Sequence, residues 1–351
     1  MNLSRRDFGR VALASLPLTR AFGAPNSRIN GVQIGVITYS FRGMNDAEEI
    51  IKAVAQIGLN SVELMSNHAE QLAGAPSQGG GRGPGVGGGF GGGQGRGPGA
   101  GGPPGAGGPP AAGGPPAGGG GGRAQMTPEQ RAAMQEQQRA RAEELRRWRL
   151  SVSMDRFKEV RAKFDTAGIN LDLLCFNMRD NNTDDEIEYA FQMGKALGVH
   201  ALTTSTTVTM SKRIAPFAEK HQMLMGYHGH DQTNDPNEFA TLETYDTAFS
   251  YGKYNGVNLD IGHFTASNYD AVAFIKQHHA RITNLHLKDR KKDHGPNTPW
   301  GQGDTPLKEV LTLMKTEKYP FPGNIEYEYR GESDVVTEIG KCLQYCKDAL
   351  A

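Results

Sequence analysis

Three cysteines in 351 residues, Cys175, Cys342 and Cys346, are too few for a disulfide framework. Cys342 and Cys346 fall one helical turn apart in what reads as the last helix, which suits free thiols better than a bridge or a metal pair. Net charge is absent as well, with 38 Lys and Arg against 38 Asp and Glu. Without a basic excess there is no field to hold a polyanion, which argues against nucleic acid as a partner. No stretch beyond the N-terminus reaches the ~20 apolar residues of a membrane span. Glycine and proline are plentiful, at 47 and 19 residues, but they crowd into one segment and leave the remainder about the size of one barrel domain.

Two segments stand apart from that domain. Ser4 to Arg10 reads SRRDFGR and precedes a short apolar run from Val11 to Leu18 and small residues near Ala24, which resembles a twin-arginine signal peptide over residues 1–24. Its implied partner is the twin-arginine export machinery, and its implied address is the periplasm. Residues 73–122 are nearly all Gly, Pro, Ala and Gln and cannot bury enough apolar surface to fold, so a disordered insertion is expected. It is too long for a phosphate-binding glycine loop. Thr127 then opens a polar helix over 127–150, with Pro128 in its first position, expected to be solvated. The insertion falls between the second strand and its helix, on the face where a lid or tether would sit.

Over residues 30–350 the rest alternates strand and helix. Val32 to Phe41 is the first strand, followed by a helix from Asp46 to Ile57 closed by Gly58, and SVELM ending at Met65 is the second strand. INLDLLCFNM and ALTTSTT are the third and fourth, and MLMGYHGH, VNLDIGHF, ITNLHLKDR and GNIEYEY complete the series. Eight strand and helix pairs predict a (β/α)8 TIM barrel, interrupted between strand 2 and helix 2 by the Gly/Pro-rich insertion.

The last four strands carry the chemistry. Side chains alternate faces along a strand. One face collects Met225, Tyr227, Val257, Leu259, Ile261, Leu285, Leu287, Ile325 and Tyr327. The other collects His228, His230, Asn258, Asp260, Asn284, His286, Lys288, Glu326 and Glu328. Parallel strands covered on both faces are normally apolar throughout, and unpaired polar groups there cost several kcal/mol each, so this parity points inward at something polar. Imidazoles and carboxylates converging at strand ends form a ligand set for one divalent ion such as Mn, Mg, Co or Zn. Asp260 could instead cap a helix, Lys288 could bridge to Asp289 or Glu326, and Trp300 could pack in its loop.

Glu63 in SVELM, Asp260 and His263 in LDIGH, His286 in LHLKD, the Gly301-Gln302-Gly303 turn and Glu326 in IEYEY together resemble the xylose-isomerase-like TIM barrel family of sugar (phosphate) isomerases and epimerases, which also contains the AP endonuclease family 2 enzymes. The resemblance runs from about Ile34 to Leu350, omitting the insertion. It implies a divalent ion held by Asp260, His286, Glu326 and the residue ending the fifth strand. Related epimerases have glutamate there, and this chain has His228, with His230 beyond it. The implied reaction is proton abstraction next to a sugar carbonyl through a metal-stabilised enediolate, with Glu326 and His230 as proton-transfer groups. His263 and Lys288 would orient the substrate, Trp300 would stack on it, and Tyr39, Glu63, Asn177 and Glu328 would contact it. An exported barrel with His-x-His in this place also resembles proteins acting on 3-keto-glycosides, so β-elimination by a lyase or hydrolase is an alternative, as is a sugar-binding barrel without turnover.

Overall fold

The computed structural model describes residues 25–77 and 127–351, so the expected signal peptide and most of the Gly/Pro-rich insertion lie outside the described residues. A short β1 (Arg28–Ile29) turns through Asn30 and Gly31, both at positive φ, to pair antiparallel with β2 (Val32–Ile37). That hairpin was not anticipated, although Asn-Gly is the residue pair such a turn demands.

From β2 onward the strands are parallel. They are β3 (Ser61–Met65), β4 (Asn170–Cys175), β5 (Ala201–Thr204), β6 (Leu224–His228), β7 (Asn255–Asp260), β8 (Ile282–Leu287) and β9 (Gly323–Ile325). β9 pairs back onto β2 through Ile34 and Gly323, Gly35 and Asn324, and Val36 and Ile325, which closes an eight-stranded barrel. The outer layer is α1 (Ala47–Ile57), α2 (Ser66–Leu72), α3 (Pro128–Ser151), α4 (Asp155–Thr166), α5 (Asp184–Leu197), α6 (Val208–His221), α7 (Leu242–Ser250), α8 (Ile261–Ala266), α9 (Ala271–His278), α10 (Leu307–Glu317) and α11 (Val335–Leu350). No described helix is long and apolar enough to cross a membrane.

Local signals set most boundaries. Asp46 accepts from Glu48 N at 2.9 Å to start α1, and Gly58 at φ 91° ends it. Thr183 and Glu186 form a capping box at α5, which Gly198 closes in the left-handed region. Strand ends were overextended. β7 stops at Asp260 because that residue caps α8, so Ile261 belongs to a helix, and Tyr327 lies beyond β9. Residues 73–77, assigned to the insertion, are described: Ala73 is buried, and Ala75 N donates to Glu70 O at 2.9 Å to finish α2.

The wall of strands has two inner sides. Glu63, Thr203, Asn258, Asn284 and Asn324 fill its floor with fully buried polar groups, while Ile37, Met65 and Cys175 with Tyr39 make a small apolar cluster separate from the main core. The main core lies between strands and helices and includes Ile34, Val62, Leu64, Tyr227, Leu259 and Leu285. The three cysteines are free and buried.

α3 corrects the expectation of a solvated helix over its last turns. Its first turns are exposed, but Leu145 is buried and Arg149 clamps Glu70 through Nε and Nη2 at 2.7 and 3.1 Å and reaches Glu186 at 3.1 Å. Tyr189 donates to the same Glu70 at 3.2 Å, and Arg146 adds a second bond to Glu186. Breaking a buried pair by removing one partner strands a charge and costs about 3–5 kcal/mol. Arg149→Ala is therefore expected to lower the midpoint of urea unfolding and to speed proteolytic cutting within residues 128–151. An unchanged midpoint would mean that water already screens the pair.

Candidate active site

Four strand ends bring together His228, Asp260, His286 and Glu326, all buried, with one ligand atom from each lying within 4.8 Å of the others. Their positions follow from the register. Asp260 sits beside His286 across the β7–β8 pairing, and His228 is level with Asn258 one strand over. Glu326 follows the last residue of β9, where its N–H still bonds Leu287 O at 3.1 Å.

Asp260 does two jobs. Its Oδ1 accepts from Gly262 N at 2.9 Å and His263 N at 2.8 Å and caps α8, which leaves Oδ2 turned to the cluster. The helix-cap and ligand readings of this residue are thus compatible, one per oxygen. Gly262 is required there, because a Cβ would come within 2.9 Å of Lys288 O. Lys288 Nζ lies 2.8 Å from Asp260 Oδ2 and pairs with it by charge. The same ammonium is 2.9 Å from Glu326 and 2.7 Å from Glu328.

His286 is gripped from both sides. Nε2 meets Glu63 Oε2 at 2.7 Å and Nδ1 meets Glu326 Oε2 at 3.1 Å. Burial alone would lower its pKa, but the carboxylates of Glu63 and Glu326 outweigh that and hold it well above the ordinary histidine value. Lys288 is likewise raised against its burial by Asp260, Glu326 and Glu328. Glu326 is pulled well below the carboxylate range, against burial, by Lys288 and His286. His228 goes the other way: burial, then the neighbouring His286 and His230, keep it well below the ordinary value and therefore neutral.

These residues fit a divalent ion. His228 Nδ1 is buried with no hydrogen-bond partner among the described residues, an open lone pair of the kind a metal takes up. Lys288 places a positive charge between two of the candidate ligand carboxylates, so the position already favours a cation. Two imidazoles and two carboxylates suit a divalent first-row metal or Mg.

The other expected site residues fall around this group. Glu63 is fully buried beneath it and accepts from Thr203 at 2.5 Å, Asn284 at 2.9 Å, Asn324 at 3.0 Å and Asn258 at 3.3 Å as well as from His286. It supports the site from below and does not line the opening. His230 contacts Glu238 at 2.8 Å and Ser205 at 3.2 Å, its ring 4.9 Å from that of His228. His263 Nδ1 lies 2.5 Å from Arg290 Nη1, and Nη2 of the same arginine donates to Asp231 Oδ2 at 3.0 Å. The same Nδ1 is 3.3 Å from Asp231 Oδ1, so an arginine donor and a carboxylate acceptor face one nitrogen of His263. Burial and Lys288 lower its pKa, which agrees with a neutral ring.

Tyr39 stands at the mouth with Arg42, Met65, Asn67 and His68, where burial and then Glu328 raise its phenol pKa. His68 is half-buried on α2 with its Nδ1 2.9 Å from Thr38, and burial lowers its pKa to about 4. Asn177 accepts from Ser205 N at 2.8 Å. Trp300 packs edge-on to Tyr345 of α11 at 5.7 Å, the loop-packing alternative. Asp289 bonds not to Lys288 but to the N–H groups of Gly301 and Gly303 at 2.8 and 2.9 Å, and so folds the Gly-Gln-Gly turn. Ser205, Asp231, Glu238 and Arg290 were missed: Asp231 and Glu238 lie in a loop with no periodicity, and Ser205 and Arg290 lie just past the ends of β5 and β8. Asn324 could have been found, because it shares the parity of Glu326.

Residues 134–348 match the family model described as xylose isomerase-like TIM barrel. No curated protein matches. Several solved structures share the fold at low identity. A sugar phosphate isomerase/epimerase from Parabacteroides distasonis is 13% identical, with 91% of this chain and 95% of that one covered and a TM-score of 0.52. A probable 3-DHS dehydratase from Bacillus anthracis is 13% identical, with 89% and 99% covered and a TM-score of 0.54. A 3-keto-D-glucoside 4-epimerase from E. coli is 9% identical, with 90% and 99% covered and a TM-score of 0.53.

Proposed function

The chain belongs to the xylose isomerase-like TIM barrel family, and from that premise we propose that it is a divalent-metal-dependent sugar isomerase or epimerase. The observation that carries this is the inward cluster of His228, Asp260, His286 and Glu326 with acid and base groups beside it. Those four residues would hold one Mn, Mg, Co or Zn ion. When bound, the ion supplies Lewis acidity that stabilises negative charge growing on a carbonyl oxygen.

The chain's own groups supply the rest. Glu326, held ionised, and His230 take and return the proton next to the carbonyl. Lys288 and His263 hold substrate oxygens, with Tyr39 and Glu328 at the mouth. Glu63 positions His286 rather than touching substrate. Ile37, Met65 and Cys175 give an apolar wall for the C–H face of a sugar ring, opposite the polar strands.

A second reading, β-elimination on 3-keto-glycosides, rests on histidine replacing carboxylate at the end of β6, the fifth barrel strand, which removes one of two symmetric bases. Both reactions begin with the same proton abstraction. Incubating the protein with keto-sugars in deuterium oxide separates them, since an isomer labelled at one carbon supports isomerisation and an unsaturated product supports elimination. Glu326→Gln should slow either by about 10²–10⁴-fold, the usual contribution of a positioned acid or base. Tight sugar binding that survives both metal removal and this substitution, without turnover, would leave only a sugar-binding barrel. Cleavage at abasic DNA would call for several metals, and one candidate cluster is found among the described residues.

Export through the twin-arginine machinery to the periplasm is the companion proposal, resting on Arg5 and Arg6. A chain with both changed to lysine should remain in the cytoplasm, as judged by fractionation.

A further inference from the structure

Next to the metal-ligand cluster three side chains from two βα loops line up in one chain of contacts. Glu238, 1% exposed, places Oε1 2.8 Å from His230 Nδ1, and His230 Nε2 lies 3.2 Å from Ser205 Oγ. Ser205 directly follows β5, His230 follows β6, and Glu238 stands in the loop before α7. The order carboxylate, imidazole, hydroxyl is the one that makes an alcohol a competent proton donor and acceptor.

The direction of each bond follows from what each group can do. A carboxylate only accepts, so Nδ1 of His230 carries the hydrogen and Nε2 keeps its lone pair. Ser205 must then donate to Nε2. The hydroxyl is held in place from its own backbone, whose N–H donates to Asn177 Oδ1 at 2.8 Å, and Ser205 is only half-buried. His263 lies 5.4 Å from His230, ring to ring. Its Nδ1 lies between Arg290 Nη1 at 2.5 Å and Asp231 Oδ1 at 3.3 Å, while Nε2 faces Asp260 Oδ2 at 3.9 Å.

We propose that Ser205, His230 and Glu238 form a proton relay whose outer oxygen, Ser205 Oγ, exchanges a proton with a substrate hydroxyl or carbon beside the metal-ligand cluster. As the substrate proton reaches Ser205 Oγ, the serine's own proton passes to His230 Nε2, and Glu238 stabilises the imidazolium. Reversing the transfer returns a proton to the sugar, so the relay ends unchanged and needs no further reactant. The inference rests on the isomerase reading for its substrate, but not for its geometry.

The test has two arms on the full chain loaded with zinc. In the first, histidine nitrogen resonances identify the tautomer. His230 should carry its hydrogen on Nδ1, and Ser205→Ala should shift its Nε2 resonance while leaving Nδ1 in place; a hydrogen on Nε2 overturns the relay. In the second, deuterium exchange into a keto-sugar should fall about 10²-fold or more in Ser205→Ala with KM unchanged, and Ser205→Thr should restore it. Glu238→Gln should cost a similar factor, and the double variant little more than either alone, because the groups act as a unit. A rate in Ser205→Ala within about twofold of wild type, beside a His286→Ala control that abolishes exchange, overturns the relay and leaves the isomerase reading standing. A wild type that binds zinc but exchanges nothing overturns that reading instead, and the tautomer alone then decides the relay.

Discussion

His286→Ala should cost the protein its divalent ion. About one equivalent per chain is expected in the wild type, as its set of two imidazoles and two carboxylates would hold, and essentially none in the variant. The imidazole is the hinge of the cluster, touching Glu63 at 2.7 Å and Glu326 at 3.1 Å. Its removal deletes one ligand and also frees Glu326 to move onto Lys288, which already lies 2.9 Å away. The remaining carboxylates would then be neutralised by the ammonium rather than by a metal. Elemental content of protein from its native export route measures this directly. The proposed isomerase activity should disappear with the ion. A variant that keeps a full equivalent would show that the ion sits elsewhere, and an empty wild type would mean that the polar face serves hydrogen bonding alone.

Glu63→Leu is expected to have the largest effect on stability. Glu63 is fully buried and accepts hydrogen bonds from Thr203, Asn258, Asn284, Asn324 and His286. Leucine has a similar volume but accepts nothing, so several buried donors lose their partner at about 1–3 kcal/mol each. A loss of about 5 kcal/mol is within the whole stability of an ordinary domain, so the variant should be largely unfolded or insoluble. Glu63→Gln keeps one accepting oxygen but turns an NH2 toward groups that themselves donate. It should fold with a smaller loss, about 2 kcal/mol, and bind metal about 10–100-fold more weakly, because His286 is no longer held in orientation. Urea unfolding and metal titration read the two effects separately. Equal stability of wild type and Glu63→Leu would show that water satisfies those donors.

The sequence by itself determined the barrel and the core of its site. Turn residues such as Gly58 and Gly198 and caps such as Asp46 and Thr183 act within a few positions, so helix and strand order could be read locally. The two-residue period of a strand similarly placed His228, Asp260, His286 and Glu326 on one face before any contact was known. What only the tertiary structure decided depends on loops and on contacts between distant segments. Asp260 divides its oxygens between a helix cap and the cluster, because β7 ends there. Glu63 turned out to be a support, since closure of β9 onto β2 and the packing of three asparagines around it seal it from the opening. Arg149 docks a helix that looks solvated in sequence, because its partners Glu70 and Glu186 come from either side of it in the chain. Ser205 and Glu238 meet His230 only where two βα loops converge and one of them folds back on itself, and no periodicity along the chain encodes such a meeting.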